Sequence, residues 1–170
     1  MSVQIVRCDA VLPDAVSDLI ATAGAEGFDF VERLRVRWRN GAYEDGVNKT
    51  DAVASILAAF VDGDLRAIGA QTHDSHDLSP SHRRVRHFYV HPDARRVGVG
   101  RTLAGALIQD GFQLAPRLHL RATHALSTAF WDAMGFSRVD HPTRTHVLMV
   151  RAPDAEPDAD TGAGAGTDAL

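Results

Sequence analysis

The tightest constraint on this chain lies at residues 85–100, VRHFYVHPDARRVGVG. A strand-like run ends at Val90, passes His91-Pro92 and two arginines, and reaches Gly98 and Gly100. Val99, Leu103, Ala106 and Leu107 then fall on one face of an expected helix. The first N–H groups of such a helix have no intrahelical partner, and the helix dipole places partial positive charge there. Glycine removes the side chains that would hold a ligand away, and Arg95 and Arg96 add charge. The stretch is therefore expected to hold a phosphate or pyrophosphate.

The elements around it limit the fold class. Residues 3–6, VQIV, read as a first strand. Pro13 opens a helix in which Val16, Leu19, Ile20 and Ala23 form one apolar stripe. Val31, Leu34 and Trp38 form a second stripe, closed by Asn40-Gly41. Residues 55–61 and 65–71 flank Asp62-Gly63-Asp64 as a hairpin, and residues 73–82 read as loop. Residues 85–90 form the next strand. After the glycine turn come a helix bracketed at its end by Gly111 and Pro116, and a strand at 118–121. A short helix at 127–134 stops at Gly135, and strands are expected at 136–139 and 145–151. A hairpin before a strand–turn–helix unit indicates a mixed sheet rather than regular alternation.

A dinucleotide loop needs G-x-G-x-x-G in an opening βαβ unit, and an adenylate P-loop needs a lysine after its second glycine. Here the third glycine is missing, and Lys49 is the only lysine in the chain. Val90-His91-Pro92 followed by Arg95-Arg96-Val97-Gly98-Val99-Gly100 instead resembles the acetyl-CoA loop of the GNAT superfamily of N-acetyltransferases, [QR]-x-x-G-x-[GA] after V-x-P. Leu103 stands where that loop's helix usually has leucine. Downstream, the run from His124 to Phe136, HALSTAFWDAMGF, is similar to the family's N-x-x-A-x-x-[FL]-Y-x-x-x-G-F.

The resemblance implies an α+β fold, a mixed and mostly antiparallel central sheet of about six to seven strands flanked by about four helices. It would span residues 1–152, with acetyl-CoA as co-substrate and no metal. The backbone N–H groups from Arg95 to Gly100, including Arg96, Val97, Gly98 and Val99, would bind the CoA pyrophosphate. Phe88 and Val90 would border the pantetheine arm, and the Val90 N–H would polarise the thioester carbonyl. His124, Ser127 and Trp131 would line the other side. The implied reaction moves an acetyl group to a primary amine, of a small molecule or a protein, by direct transfer in a ternary complex. A non-catalytic acyl-CoA-binding regulatory module on the same fold is the alternative.

That alternative stays open because Trp131 replaces the family tyrosine proposed to protonate the leaving thiolate, and an indole N–H has no useful acidity. His124 and Ser127 likewise replace the asparagine and alanine. A thiolate with a pKa near the ~8.5 of cysteine leaves tolerably without a proton. Candidate catalytic groups are His87, Asp74 and Ser127, with His73 and His146 also weighed as bases. Glu44, Asp45 and Asp74 would suit a cationic acceptor. His73-x-x-His76 has no further ligands and reads as a solvated loop.

Composition narrows the partners. Residues 153–170 hold five acidic residues and no basic one against a whole-chain charge of −4, leaving a formal +1 for the rest. No basic excess points to nucleic acid. The acidic Ala/Gly/Asp tail has too few apolar residues to order itself and is expected to be disordered. Cys8 is the only cysteine, so no internal disulfide forms, and it reads as a core residue. No signal-peptide pattern or membrane-length apolar run is present, which sets the expectation of a cytoplasmic protein. Edge strands in such folds often pair, which leaves a homodimer as one expected assembly.

Overall fold

The hairpin predicted in the first half organises the sheet. β2 (Ser55–Val61) and β3 (Asp64–His73) pair antiparallel around a tight turn in which Asp62 and Gly63 both have positive φ. That backbone matches the twist of the flanking strands. The structure, a computed structural model, describes residues 1–8, 11–39, 55–74, 76 and 79–150. β1 (Val3–Arg7) pairs with β2, and β4 (His82–Val90) pairs with β3. After α3 (Val99–Phe112), β5 (Arg117–Leu120) pairs parallel with β4. β6 (Ser137–Arg138) and β7 (His146–Met149) complete a seven-stranded sheet in the order β1-β2-β3-β4-β5-β7-β6. Every pairing except β4–β5 is antiparallel.

Two cores sandwich the sheet. α1 (Val16–Ala25) and α2 (Phe30–Arg39) pack Val16, Leu19, Val31 and Leu34 against Ile56, Ile68, Ala70 and Tyr89 on one face. Cys8 is buried in this core, as expected. On the other face α3 contributes Val99, Leu103 and Leu107. α4 (Ala125–Ala133) adds Trp131, and both helices cover Val85, Leu118 and Leu120. The helices thus form where the apolar stripes place them, and the α+β reading holds.

The boundaries differ in one instructive place. The segment 73–82 was expected as loop, yet β3 runs through His73 and β4 begins at His82. Arg83 and Arg84 enter the sheet because their charges are satisfied there. Arg83 Nε donates to Gln71 Oε1 at 3.0 Å, and Gln71 Nε2 donates to Ser55 Oγ at 2.9 Å and Asp110 Oδ2 at 2.8 Å. Arg7 and Ser55 also donate to Asp110. This network joins β1, β2, β3 and β4 to the last turns of α3. α1 likewise starts later than Pro13, which forms the preceding turn by accepting the Val16 N–H at 3.0 Å. The Asn40-Gly41 stop and the 153–170 tail lie outside the described residues. No helix among the described residues is long and apolar enough to cross a membrane.

Asp110→Ala removes the acceptor of the fully buried Ser55 and Gln71. It should lower the free energy of unfolding by about 1–3 kcal/mol, read from denaturant melts. An unchanged midpoint would show that the network does not hold α3 to the sheet.

Candidate active site

The candidate site begins where β4 and β5 separate. Their parallel pairing covers His82↔Arg117, Arg83↔Leu118 and Arg84↔His119 and then stops. From Val85 onward, β4 is paired on its β3 side only. Two features force the divergence. The β3–β4 register shifts between Ile68 and Ala70, and His87 takes the left-handed φ of +53° expected of a bulge. Gly69 faces that bulge, where a Cβ would stand 2.6 Å from Leu107 Cδ1 and 3.1 Å from Phe88 Cδ2. Aromatic rings then wedge the gap. Phe88 stacks on Phe130 at 5.4 Å between centroids, and Trp131 meets Phe88 edge-on at 5.0 Å and Phe136 at 5.2 Å.

The backbone around Val90 is turned toward the gap. The His91 N–H donates to Arg66 O on the β3 side at 2.8 Å. Strand alternation therefore points the N–H groups of Val90 and Phe88 to the unpaired side. Beyond a short 3₁₀ turn at Pro92–Ala94, Arg96 and Gly98 take φ of +63° and +93°, and α3 starts with Gly98 as its N-cap. The first intrahelical bond is Thr102 N to Gly98 O at 3.0 Å. This leaves the N–H groups of Val99, Gly100 and Arg101 without helical acceptors. Nothing stands within 4 Å of a Cβ placed on Gly98, whereas one on Gly100 would be 3.2 Å from Val90 Cγ2. Gly98 thus keeps the front of the helix open, and Gly100 lets α3 approach β4. Both features fit a pyrophosphate at the loop and a pantetheine arm in the gap.

The two arginines of the loop do different work. Arg95 grips Glu26 at the end of α1 through two bonds, at 2.8 and 2.5 Å, and its Nε donates to Val90 O at 2.9 Å. Its guanidinium lies 5.6 Å from the Tyr89 ring centroid, and the Tyr89 hydroxyl donates to the same Glu26 at 2.5 Å. Arg95 lowers the Glu26 pKa, with help from Tyr89. Arg96 and Val97 are exposed, and Arg96 has no hydrogen-bonding or ionic partner among the described residues. Arg95 braces the loop, whereas Arg96 keeps its charge unpaired among the described residues at the turn before α3. Glu26 was missed by the sequence reading, because its partners are more than sixty residues away.

The catalytic candidates do not converge. His87 lies on the α2 side, half-buried near Arg86, Arg37 and Arg33, with a hydrogen bond to the Phe30 backbone. Burial first, then the neighbouring arginines, lowers its pKa to about 4. Asp74 is fully buried at the opposite end of the sheet, accepting from Arg84 Nη1 at 3.0 Å and from the His76 N–H at 3.1 Å. Burial raises its pKa, but these bonds outweigh burial and the net shift is downward. Arg84 is six residues before Val90, so Asp74 sits roughly 20 Å from the loop. Ser127 donates to His124 O at 2.8 Å in the first turn of α4, and His124 is the exposed N-cap of that helix. Trp131 is 4% exposed, part of the α3-side core, and meets the rings of Phe88, Phe130 and Phe136. His146 is buried, within 3.3 Å of Asp132 and on the α3 face. Among the described residues no cluster of His, Cys, Asp and Glu suits a metal.

The comparisons agree with this geometry. The family model described as Acetyltransferase (GNAT) family matches residues 20–136. A crystal structure of a protein from Exiguobacterium sp. 255-15, described as an acetyltransferase, is 30% identical, with a TM-score of 0.71 over 88% of this chain and 94% of that one. The Salmonella typhimurium protein yncA with its cofactor acetyl-CoA is 17% identical, with a TM-score of 0.64 over 94% and 100% of the two chains. A GNAT-family acetyltransferase from Staphylococcus aureus Mu50 is 11% identical, with a TM-score of 0.67 over 88% and 100%. No functionally curated protein matches. The glycine turn, the separated strands and a family match over more than half its length make this chain a member of the GNAT family of acetyltransferases.

Proposed function

We propose that the protein transfers an acetyl group from acetyl-CoA to an amine acceptor by direct attack within a ternary complex. The observation that carries the reading is the early end of the β4–β5 pairing beside an open helix N-terminus. Acetyl-CoA supplies the activated thioester. The N–H groups of the Arg95–Gly100 loop and the Arg96 side chain hold the pyrophosphate. The unpaired N–H groups of Phe88 and Val90 border the pantetheine, and the Val90 N–H stabilises negative charge at the carbonyl oxygen. The amine nitrogen forms the new bond to the acetyl carbon, the carbon–sulfur bond breaks, and the sulfur leaves as thiolate. Trp131 walls the arm and carries no transferable proton at working pH.

His87 is neutral at physiological pH but is a weak base, with a pKa of about 4. It serves better as a hydrogen-bond acceptor that orients an amine or a water than as the final holder of the proton. The proton then passes by water to bulk solvent. Ser127 and His124, at the accessible start of α4, are the polar groups on the thiolate side.

Thiol release from acetyl-CoA across a panel of amines tests the proposal. Release with a defined acceptor supports it. Saturable acetyl-CoA binding with no release for any amine would instead favour the acyl-CoA-binding module. Gly98→Glu should abolish CoA binding in a folded protein, and unchanged affinity by calorimetry would remove the loop assignment. Trp131→Phe should keep most of the turnover. A fall of more than about a thousandfold with acetyl-CoA affinity intact would place the indole N–H in the chemistry.

His87 also gives a pH signature. Its folded pKa of about 4 lies below the ordinary 6.5, so the unfolded chain binds the extra proton between those values. Its stability contribution is complete above pH 6.5 and falls away as the pH drops toward 4, by up to about 3 kcal/mol. His87→Asn, which tolerates the left-handed φ, should flatten the stability curve between these pH values. An equal slope in both proteins would contradict the neutral, half-buried imidazole.

A further inference from the structure

The turn that ends α1 presents one carboxylate in a fixed place. The Phe28 N–H donates to Ala23 O at 2.8 Å and the Gly27 N–H to Gly24 O at 3.0 Å, with Gly27 at a φ of +84°. This pair of bonds closes the helix and sets Glu26 as its C-cap. An anion at that end opposes the helix dipole, and no basic residue stands in the last turn of α1. Helix stability therefore does not account for Glu26. Of the carboxylates considered for the acceptor, Glu44 and Asp45 lie outside the described residues, and the Asp74 charge is taken by Arg84. Glu26, by contrast, is carried to the strand that borders the gap.

Two tethers run from this carboxylate to the peptide between Tyr89 and Val90. The first is the Tyr89 hydroxyl, which donates to Glu26 Oε2 at 2.5 Å. Tyr89 is 3% exposed, and its ring is held by Phe28 and Phe30, each at 6.2 Å between centroids. The second is Arg95, whose Nη1 and Nη2 donate to Glu26 at 2.8 and 2.5 Å while its Nε donates to Val90 O at 2.9 Å. The peptide that carries the Val90 N–H lies between these attachments, one at the Tyr89 side chain and one at the Val90 carbonyl. An extended residue presents its N–H and C=O on the same edge. Arg95 therefore occupies the carbonyl on the gap side and leaves the adjacent N–H to a ligand. The Glu26 and Arg95 side chains are 29% and 40% exposed, and a pair exposed to that degree adds little to stability. What the contact supplies is a fixed geometry at Val90.

We propose that Glu26 is a positioning residue of the transfer reaction, which aims the Val90 N–H at the thioester carbonyl through Tyr89 and Arg95. The assignment rests on the acetyl-transfer reading above. A donor to a developing oxyanion works because it is already aimed, and loss of one such donor costs about 10²–10³ in kcat. A donor that stays but is no longer held loses a part of that, about tenfold to a hundredfold. Glu26→Gln keeps the size of the side chain, but its single amide oxygen does not meet both Tyr89 and the Arg95 fork, and its NH₂ turns a donor toward the guanidinium. Tyr89→Phe removes one tether and keeps the packed ring.

The direct test follows the carbonyl resonance of acetyl-CoA, carrying a carbon isotope label at the acetyl carbonyl, when it binds the full chain. A hydrogen bond from the Val90 N–H moves this resonance downfield of its position in free acetyl-CoA. Most of that displacement should be lost in Glu26→Gln and a smaller share in Tyr89→Phe. The affinity for CoA, which has no carbonyl to aim at, should change by less than about threefold in both, read by calorimetry. In thiol release with the most active amine of the panel, kcat should fall about tenfold to a hundredfold in Glu26→Gln with the KM for acetyl-CoA nearly held. A brace that serves only the loop predicts the opposite split, with weaker CoA binding and an unmoved resonance in the bound fraction. That split, an unchanged resonance in Glu26→Gln, or a wild-type carbonyl that does not shift on binding overturns the proposal. The double variant should lose little more than Glu26→Gln alone, because both tethers end on one carboxylate, and independent losses would overturn the shared anchor. A carbonyl displaced in the wild type and restored in Glu26→Gln, with no thiol release from any amine, would leave the role of Glu26 standing and remove the acetyl-transfer reading instead.

Discussion

The candidate site depends on the point at which β4 lets go of β5. Three paired residues hold the strands together, and then the bulge at His87 turns β4 away. A strand edge inside a fold leaves N–H and C=O groups that need partners. One is accounted for within the chain, because Arg95 Nε donates to Val90 O. The N–H groups of Phe88 and Val90 have no strand to meet, and the rings of Phe88, Phe130 and Trp131 keep β5 from closing on them. Unpaired donors and apolar walls therefore run side by side, which is what a thioester arm with amide groups requires.

The loop gains its shape from the same strand. Arg95 ties Val90, Tyr89 and Glu26 into one contact, so the end of α1 braces the turn that leads into α3. Burial and the Glu26 carboxylate raise the Tyr89 pKa, so the phenol remains a donor. Each exposed ion pair of this kind is worth little by itself, about 0–1 kcal/mol. Its effect is positional: it spends the Arg95 charge within the protein and leaves Arg96, with φ of +63°, facing solvent ahead of the helix.

The sequence made some of this legible. The turn at Gly98 was legible from the strand–turn–helix pattern, since it works through local backbone geometry. The hairpin at Asp62-Gly63 was legible for the same reason. Gly69 within a strand pattern was an available sign of the bulge. The start of β4 was not legible, because His82, Arg83 and Arg84 look solvated until Gln71, Asp74 and Asp110 are placed beside them. Asp74 appeared among the catalytic candidates for a related reason: its sequence neighbours are loop-like, while its actual partners, Arg84 and His119, come from β4 and β5.

Burial, with Arg144 beside it, keeps the His119 ring neutral. Arg83 and Arg84 are 3% and 9% exposed, which requires that their charges be met inside the sheet. Asp74 and the Gln71 network meet them. A proton on His119 would add a further buried cation beside Arg144, and an uncompensated buried charge is strongly destabilising.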